Sequence, residues 1–129
     1  MALSGLEQQG FLVALGDVAA LSSFELPIVN PQRTIKVTRA AITGSCNVTA
    51  DASNFVDIRL RRSATETICS LNTSTTGITA KTFRDFSTPA AAVAEVASCH
   101  HMYLEVLPQG SGVKLVRATL LVNYEVIGN

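Results

Sequence analysis

The residues best suited to chemistry stand together at Cys99, His100 and His101. Cysteine and histidine are common zinc ligands, and a thiol beside an imidazole is also the arrangement of a cysteine nucleophile. In a strand, Cys99 and His101 would share a face, whereas His100 would point to the other side. Two ligands do not complete a zinc site, and a Cys–His nucleophile also needs an orienting partner. We therefore expect a loop that leads into a strand at Met102, without metal or catalysis.

Three cysteines are present, Cys46, Cys69 and Cys99, and no two of them have CxxC spacing. An odd number of cysteines does not form the disulfide framework of a secreted domain. We expect reduced thiols in a protein made in the cytoplasm, each acting as a small apolar side chain.

Acidic residues and glycines form no motif that would indicate an enzyme or a cofactor site. The aspartates at positions 51, 57 and 85 are too scattered for a calcium loop or a pair of catalytic carboxylates. The glycine-containing turn at residues 110–112 lacks the strand–loop–helix context of a phosphate-binding loop. The sequence therefore predicts a protein that is not an enzyme and needs no cofactor.

Basic residues are concentrated in two stretches of the chain: Arg33, Lys36, Arg39, Arg59, Arg61 and Arg62. A nucleic-acid interface would require a basic net charge and interleaved aromatic side chains. The chain has 10 Lys+Arg against 10 Asp+Glu and only 5% aromatic residues, so no nucleic-acid partner is predicted. Two interpretations remain open. In the first, the basic residues form exposed ion pairs with Asp57, Glu66 and Asp85, each worth about 0–1 kcal/mol.

The second interpretation is a protein interface, at which arginine is enriched. The candidate interface residues are Arg33, Lys36, Arg39, Arg59 and Arg61.

Composition predicts one domain that works in contact with other protein chains. At 129 residues the chain can bury a core without metal or disulfide support. Hydrophobic residues make up 47% and charged residues 16%, and tryptophan is absent, so the core must be mainly aliphatic. A surface with so little charge is typical of a subunit that buries part of it against a partner. No apolar run reaches the roughly 18 residues of a membrane span, and no signal peptide is recognisable.

Alternating apolar residues predict a long strand over residues 113–127. One face carries six apolar side chains at a period of two: Val116, Ala118, Leu120, Val122, Tyr124 and Val126. This pattern is typical of a strand with one face in a core and the other in water. A second alternating run at residues 102–106 precedes a turn-rich segment at 108–112. The two runs are therefore predicted to form a closing β-hairpin.

Four other segments are predicted to be strands or extended chain: residues 34–43, 55–61, 65–71 and 78–86. In the first, Ile35, Val37 and the segment Arg39–Ala41 are expected on one side, and Lys36 and Thr38 on the other. In the second, three side chains are expected to point inward: Val56, Ile58 and Leu60. A further short strand around Phe24 is limited to an edge or a turn by the prolines at positions 27 and 31.

The segment after Pro89 contains the only predicted helix, with Thr88 as its cap and at most two turns over residues 91–96. Residues 1–22 are predicted to be an N-terminal arm or an edge strand, and residues 23–129 a β-sandwich domain. Seven or eight short strands separated by turns indicate an all-β fold. It is predicted to be a single antiparallel β-sandwich or jelly-roll-like domain.

Residues 24–127 resemble the small β-sandwich decoration, or cement, proteins of tailed-bacteriophage heads. The resemblance is one of strand pattern. It is carried by Ile35-Lys-Val-Thr-Arg-Ala-Ala-Ile-Thr-Gly44, Val56-Asp-Ile-Arg-Leu60, the turn at 73–77 and the closing unit at 102–126. Residues 97–100 depart from it, since a Gly-Asp type of turn is expected there.

The resemblance implies a virion structural protein that decorates the outer capsid surface. Its partner would be the major capsid protein, whose neighbouring subunits it clamps, and it would form a homo-oligomer, most often a trimer. It would be made in the host cytoplasm, with neither nucleic acid nor membrane as a partner. Two alternatives remain open: a carbohydrate-binding sandwich module of a fibre or spike, and another head or tail component.

Overall fold

A computed structural model describes residues 8–27, 32–111 and 113–128. The described residues form nine strands and no helix. In chain order, β1 to β9 are Gln8–Val18, Ser22–Glu25, Thr34–Thr43, Phe55–Ser63, Glu66–Asn72, Arg84–Asp85, Glu95–Val96, Tyr103–Gln109 and Leu115–Gly128. Residues 1–7 of the predicted arm, residues 28–31 and Gly112 of the predicted turn lie outside the described residues.

The strands form two antiparallel sheets that pack face to face. In the first sheet the order is β1-β9-β3-β6, and β7 also pairs with β3. In the second sheet the order is β2-β8-β4-β5. The predicted all-β fold of the sandwich class is therefore confirmed.

The core lies between the sheets and is built from alternate residues of each strand. Val56, Ile58 and Leu60 of β4 have no exposed surface, as predicted. From the opposite sheet, Leu120 and Val122 of β9 are equally buried. Because side chains alternate along a strand, each such residue enters the core while its neighbour faces outward. Burying each large aliphatic side chain contributes about 1.5–3 kcal/mol.

The predicted closing hairpin is wrong, because β8 and β9 lie in different sheets. β8 pairs with β2 and β4, whereas β9 pairs with β1 and β3. The alternation of apolar residues determines which face of a strand is buried, but not which strand lies beside it.

The connection between β8 and β9 turns at Gly110, whose φ of 74° is in the left-handed region. A Cβ there would lie 2.1 Å from the carbonyl oxygen of Ser53, so glycine is required.

Two register shifts change which side chains of β9 and β3 reach the core. Leu115 is buried and Val116 is only half-buried, contrary to the prediction, because the chain is irregular at Arg117, whose φ is 48°. The Arg117 N–H donates to Asp17 Oδ1 at 2.9 Å. In β3 a shift between Val37 and Arg39 turns Arg39 outward, so the expectation that it shares a side of the strand with Ile35 and Val37 is wrong.

The predicted helix at residues 91–96 is also wrong. The Val93 N–H donates to the Ala90 carbonyl at 3.0 Å, which closes a single turn. The chain then forms β7, in which Val96 is buried against Ile35 of β3. A helix of one turn leaves most of its backbone groups unpaired, whereas pairing with β3 satisfies them. Residues 78–86 are mainly irregular, apart from β6 and a bridge between Ile78 and Val48.

Replacing core residues by aspartate tests the strand registers. Ile58→Asp and Leu120→Asp are each expected to unfold the domain, because an unpaired buried carboxylate costs several kcal/mol out of a total stability of about 5–15 kcal/mol. Thermal unfolding followed by circular dichroism measures the effect. Arg59→Ala is the control, and its melting temperature should be nearly unchanged. Harmless aspartates would mean that the faces of these strands are assigned the wrong way round.

Candidate functional site

The predicted interface residues do not form one patch. Lys36 and Arg39 lie on the outer surface of the first sheet, on β3, and Arg33 precedes that strand. Arg59 and Arg61 lie on β4, on the outer surface of the second sheet, because Ile58 and Leu60 face the core. The sandwich therefore separates these residues onto two opposite surfaces.

Ion pairs occupy most of these basic residues. Arg39 Nη2 lies 2.6 Å from Asp85 Oδ1, Arg59 Nη2 lies 2.7 Å from Asp57 Oδ2, and Arg62 Nη2 lies 2.7 Å from Glu66 Oε2. Arg61 pairs with Glu105 of the neighbouring β8. All three acidic partners named from the sequence are confirmed: Asp57, Glu66 and Asp85. The pairs are partly exposed, so each contributes about 0–1 kcal/mol.

A groove of about 400 Å³ runs beside the Arg62–Glu66 pair. It is lined by Thr34, Arg62, Ser63, Glu66, Glu95, Val96, Ala97 and His100. Hydrogen bonds from Arg62, and then from Ser63, hold the pKa of Glu66 below its ordinary value. Arg62 Nη1 also donates to the Glu95 carbonyl at 2.8 Å. The guanidinium is therefore already bound within the protein and is not directed at a ligand.

The Cys99–His101 segment is a loop, as predicted. Cys99 has a φ of 65°, and the His100 N–H donates to the Ala97 carbonyl at 3.1 Å, so residues 97–100 form a turn. His100 Nδ1 lies 3.0 Å from the Ser98 carbonyl, and His101 Nε2 lies 3.9 Å from Glu25 Oε1. Within the described ranges, no three His, Cys, Asp or Glu side chains are placed to hold a metal.

Three of the four sheet edges are covered or short. The outer edge of β3 pairs with β6 and β7. Beside them, the Val37 N–H donates to the Ala94 carbonyl at 2.9 Å, and the Ala40 carbonyl accepts from the Phe86 N–H at 2.8 Å. Along β5, the Ser87 N–H donates to the Ser70 carbonyl at 2.8 Å, and the Ala90 N–H donates to the Ile68 carbonyl at 2.9 Å. β2 has only four residues and ends at Glu25. Each is a recognised way of preventing edge-to-edge association.

The edge of β1 is long, and no other segment in the described part of the chain covers it. β1 has 11 residues, and β9 is its only strand partner among the described residues. The stretch from Gln8 to Gly16 contains no charged residue and no proline. Leu12 is 63% exposed on the outer surface, directly beside Leu121 of β9. A long, neutral and apolar edge is a template for pairing with another chain.

Sequence reasoning missed β1 as a candidate site because its alternation is weak. An available signal was the run of nine uncharged residues from Gln8 to Gly16, next to a chain segment expected to be a strand or an arm. The exposure of Leu12 could not be foreseen, since it depends on β1 lying at the end of the sheet order.

Comparison with known proteins gives no family for this chain. No protein-family model matches it, and no curated protein matches it. Among solved structures, a chain of the infectious bursal disease virus Gx strain structure is similar, with 12% sequence identity and a TM-score of 0.32. The similarity covers 98% of this chain and 37% of that chain. At this TM-score the likeness identifies neither a family nor a function. Among the described residues, no helix is long and apolar enough to cross a membrane.

The three thiols provide a test of the structure around the cysteines. All are free, and Cys69 is buried as an apolar filler, whereas Cys46 and Cys99 are exposed, contrary to prediction. Burial raises the pKa of the Cys69 thiol to about 12, so it remains protonated and unreactive at neutral pH.

A chromogenic disulfide reagent is therefore expected to react with Cys46 and Cys99 in the native protein and with Cys69 only after denaturation. Cys69→Ala should remove only the slow reaction. Three equally fast thiols would contradict the burial of Cys69.

Proposed function

We propose that this chain is a virion structural protein that decorates the outer capsid surface and holds neighbouring major capsid subunits together. The observation that supports an assembly role is the edge of β1, which no other described segment covers and on which Leu12 is exposed. When another protein covers such an edge, the backbone groups form hydrogen bonds and the apolar side chains are removed from water, so both are stabilised. The strand-pattern resemblance to phage decoration proteins supplies the capsid context.

The proposed mechanism is passive. Each copy would bury part of its surface across the boundary between two capsid subunits. Opening the shell would then require breaking these contacts, which costs the binding free energy. A homo-oligomer, for which the resemblance favours three copies, would bind several subunits at once. Linked contacts of this kind raise the overall affinity without any further chemistry.

A carbohydrate-binding role receives less support from the two tyrosines. Sugar-binding modules commonly stack sugars on exposed aromatic rings. Tyr124 is buried, packs against Phe11 at a ring-centroid distance of 6.2 Å, and donates its hydroxyl to Gln9 Oε1 at 2.9 Å. Tyr103 is half-buried on β8. Neither tyrosine ring is therefore fully exposed, and the one exposed aromatic ring among the described residues is that of Phe83, at 38%.

Light scattering on the purified protein tests self-association. A stable trimer at low micromolar concentration is the expected result. The measurement should be repeated with 0.5 M salt, because an assembly held by apolar burial resists screening. A monomer at every concentration would contradict the proposed homo-oligomer.

Co-sedimentation with capsids of the encoding virus tests the decoration role. The protein is expected to pellet with its own shells at a fixed stoichiometry and to remain in the supernatant with shells of an unrelated virus. Shells that carry the protein should also withstand a higher temperature before they release their contents. Failure to pellet with its own shells would refute the decoration role.

A further inference from the structure

The edge of β1 is suited to one occupant in particular, the same edge of a second copy. Every other described sheet edge is either short or covered by its own chain, so a second copy offers no other long edge for pairing. Two identical edges can pair only about a two-fold axis, which makes the contact self-complementary and closes it at two copies.

We propose that two copies of this chain join their first sheets by antiparallel pairing of β1 with β1, with the two-fold axis at Leu12. This contact rests on the proposed role of the chain as an assembly subunit, and it names the surface through which copies meet. If copies also form trimers through other surfaces, the β1 contact joins one trimer to the next.

Charge permits this pairing. With Leu12 opposite Leu12 of the second copy, Gly10 lies opposite Ala14 and Phe11 opposite Val13, and the regular pairing ends at the register shift after Ala14. No residue in this stretch is charged, so no like charges are brought together. Such repulsion is the usual means by which a protein prevents its edges from pairing.

Apolar side chains also continue across the proposed axis. On the side of the first sheet that faces away from the core, Leu12 lies beside Leu121, and Leu121 lies beside Ala41, which is buried. Leu12 is the exposed end of this row. Pairing about Leu12 would place the two rows end to end, so that four leucines form one apolar cluster. Phe11 and Val13 lie on the opposite side of the sheet and pack against the core. Pairing would place them beside the same residues of the second copy, so that the two cores become continuous.

Cross-linking with single cysteines tests both the contact and its register. In a Cys46→Ser, Cys99→Ser background, Leu12→Cys should form a disulfide-linked dimer under mild oxidation. Directly opposed residues have Cβ atoms about 4.5–5.5 Å apart, close to the geometry that a disulfide requires. Ala14→Cys is the matched control on the same face of the same strand. In that variant the two introduced cysteines would lie four residues apart along the paired strands, at a distance of about 14 Å.

Several-fold more dimer from Leu12→Cys than from Ala14→Cys, on a non-reducing gel, is the expected result. Equal yields, or no dimer from either variant, would overturn the proposal. The latter is also the result expected if a different segment or partner covers the edge.

A charged residue at the axis provides a second test that does not depend on oxidation. The mass of the unmodified protein is expected to rise with concentration. Leu12→Lys places two ammonium groups together, so it should abolish that rise. Leu21→Lys is the control, because Leu21 is 71% exposed but lies outside β1. If both variants associate like the unmodified protein, the β1 contact is refuted.

The results distinguish this contact from the proposed function. Shell binding without Leu12-dependent cross-linking would refute the contact and leave the decoration role standing. Cross-linking without shell binding would do the reverse.

Discussion

The fold depends on strand β9, which must bury one face in the core and pair along both of its edges. Leu120 and Val122 pack toward the second sheet, while the backbone pairs with β1 on one side and β3 on the other. A central strand with both edges occupied leaves its backbone groups satisfied within the sheet. The positions of β1 and β3, and therefore the location of the open edge, follow from this arrangement.

The outer surfaces of the two sheets have different chemistry. On the second sheet, Arg59 and Arg61 pair with Asp57 and Glu105, so charge is present but neutralised locally. On the first sheet, the surface around the middle of β1 consists of uncharged residues, with Leu12 and Leu121 side by side. Covering the charged surface would remove water from its ion pairs, which costs free energy. Covering the uncharged surface costs much less. This difference explains why the arginines, which the composition suggested as interface residues, are weaker candidates than β1.

Local patterns predicted much of the fold, while relations between distant strands could not be predicted from them. The period of two in residues 55–61 located Val56, Ile58 and Leu60 in the core, because burial of a strand face acts within the strand itself. The same period misplaced Val116, since the irregularity at Arg117 depends on Asp17, a hundred residues earlier. The hairpin error has the same origin: the sequence of β8 and β9 does not encode that they belong to different sheets.

For the candidate site, the sequence predicted the ion-pair partners of three arginines but not the open edge. A pairing between opposite charges can be inferred from composition alone. Which strand forms an edge depends on the order of all strands in the sheet. The exposure of Leu12 therefore cannot be inferred until its neighbouring strands are known. The strand-pattern resemblance is the basis of the proposed capsid role, and it does not indicate which surface would carry that role.

The pairing of β1 with β9 also affects when the protein can assemble during synthesis. β1 is the first described strand and β9 the last, and their contacts join residues as far apart as Gln9 and Tyr124. Such long-range contacts form slowly, because a large loop must close before they contribute free energy. Until β9 leaves the ribosome, β1 has no sheet to join and presents no ordered edge. Chains in which β9 is not yet synthesised would therefore be unable to pair by this route.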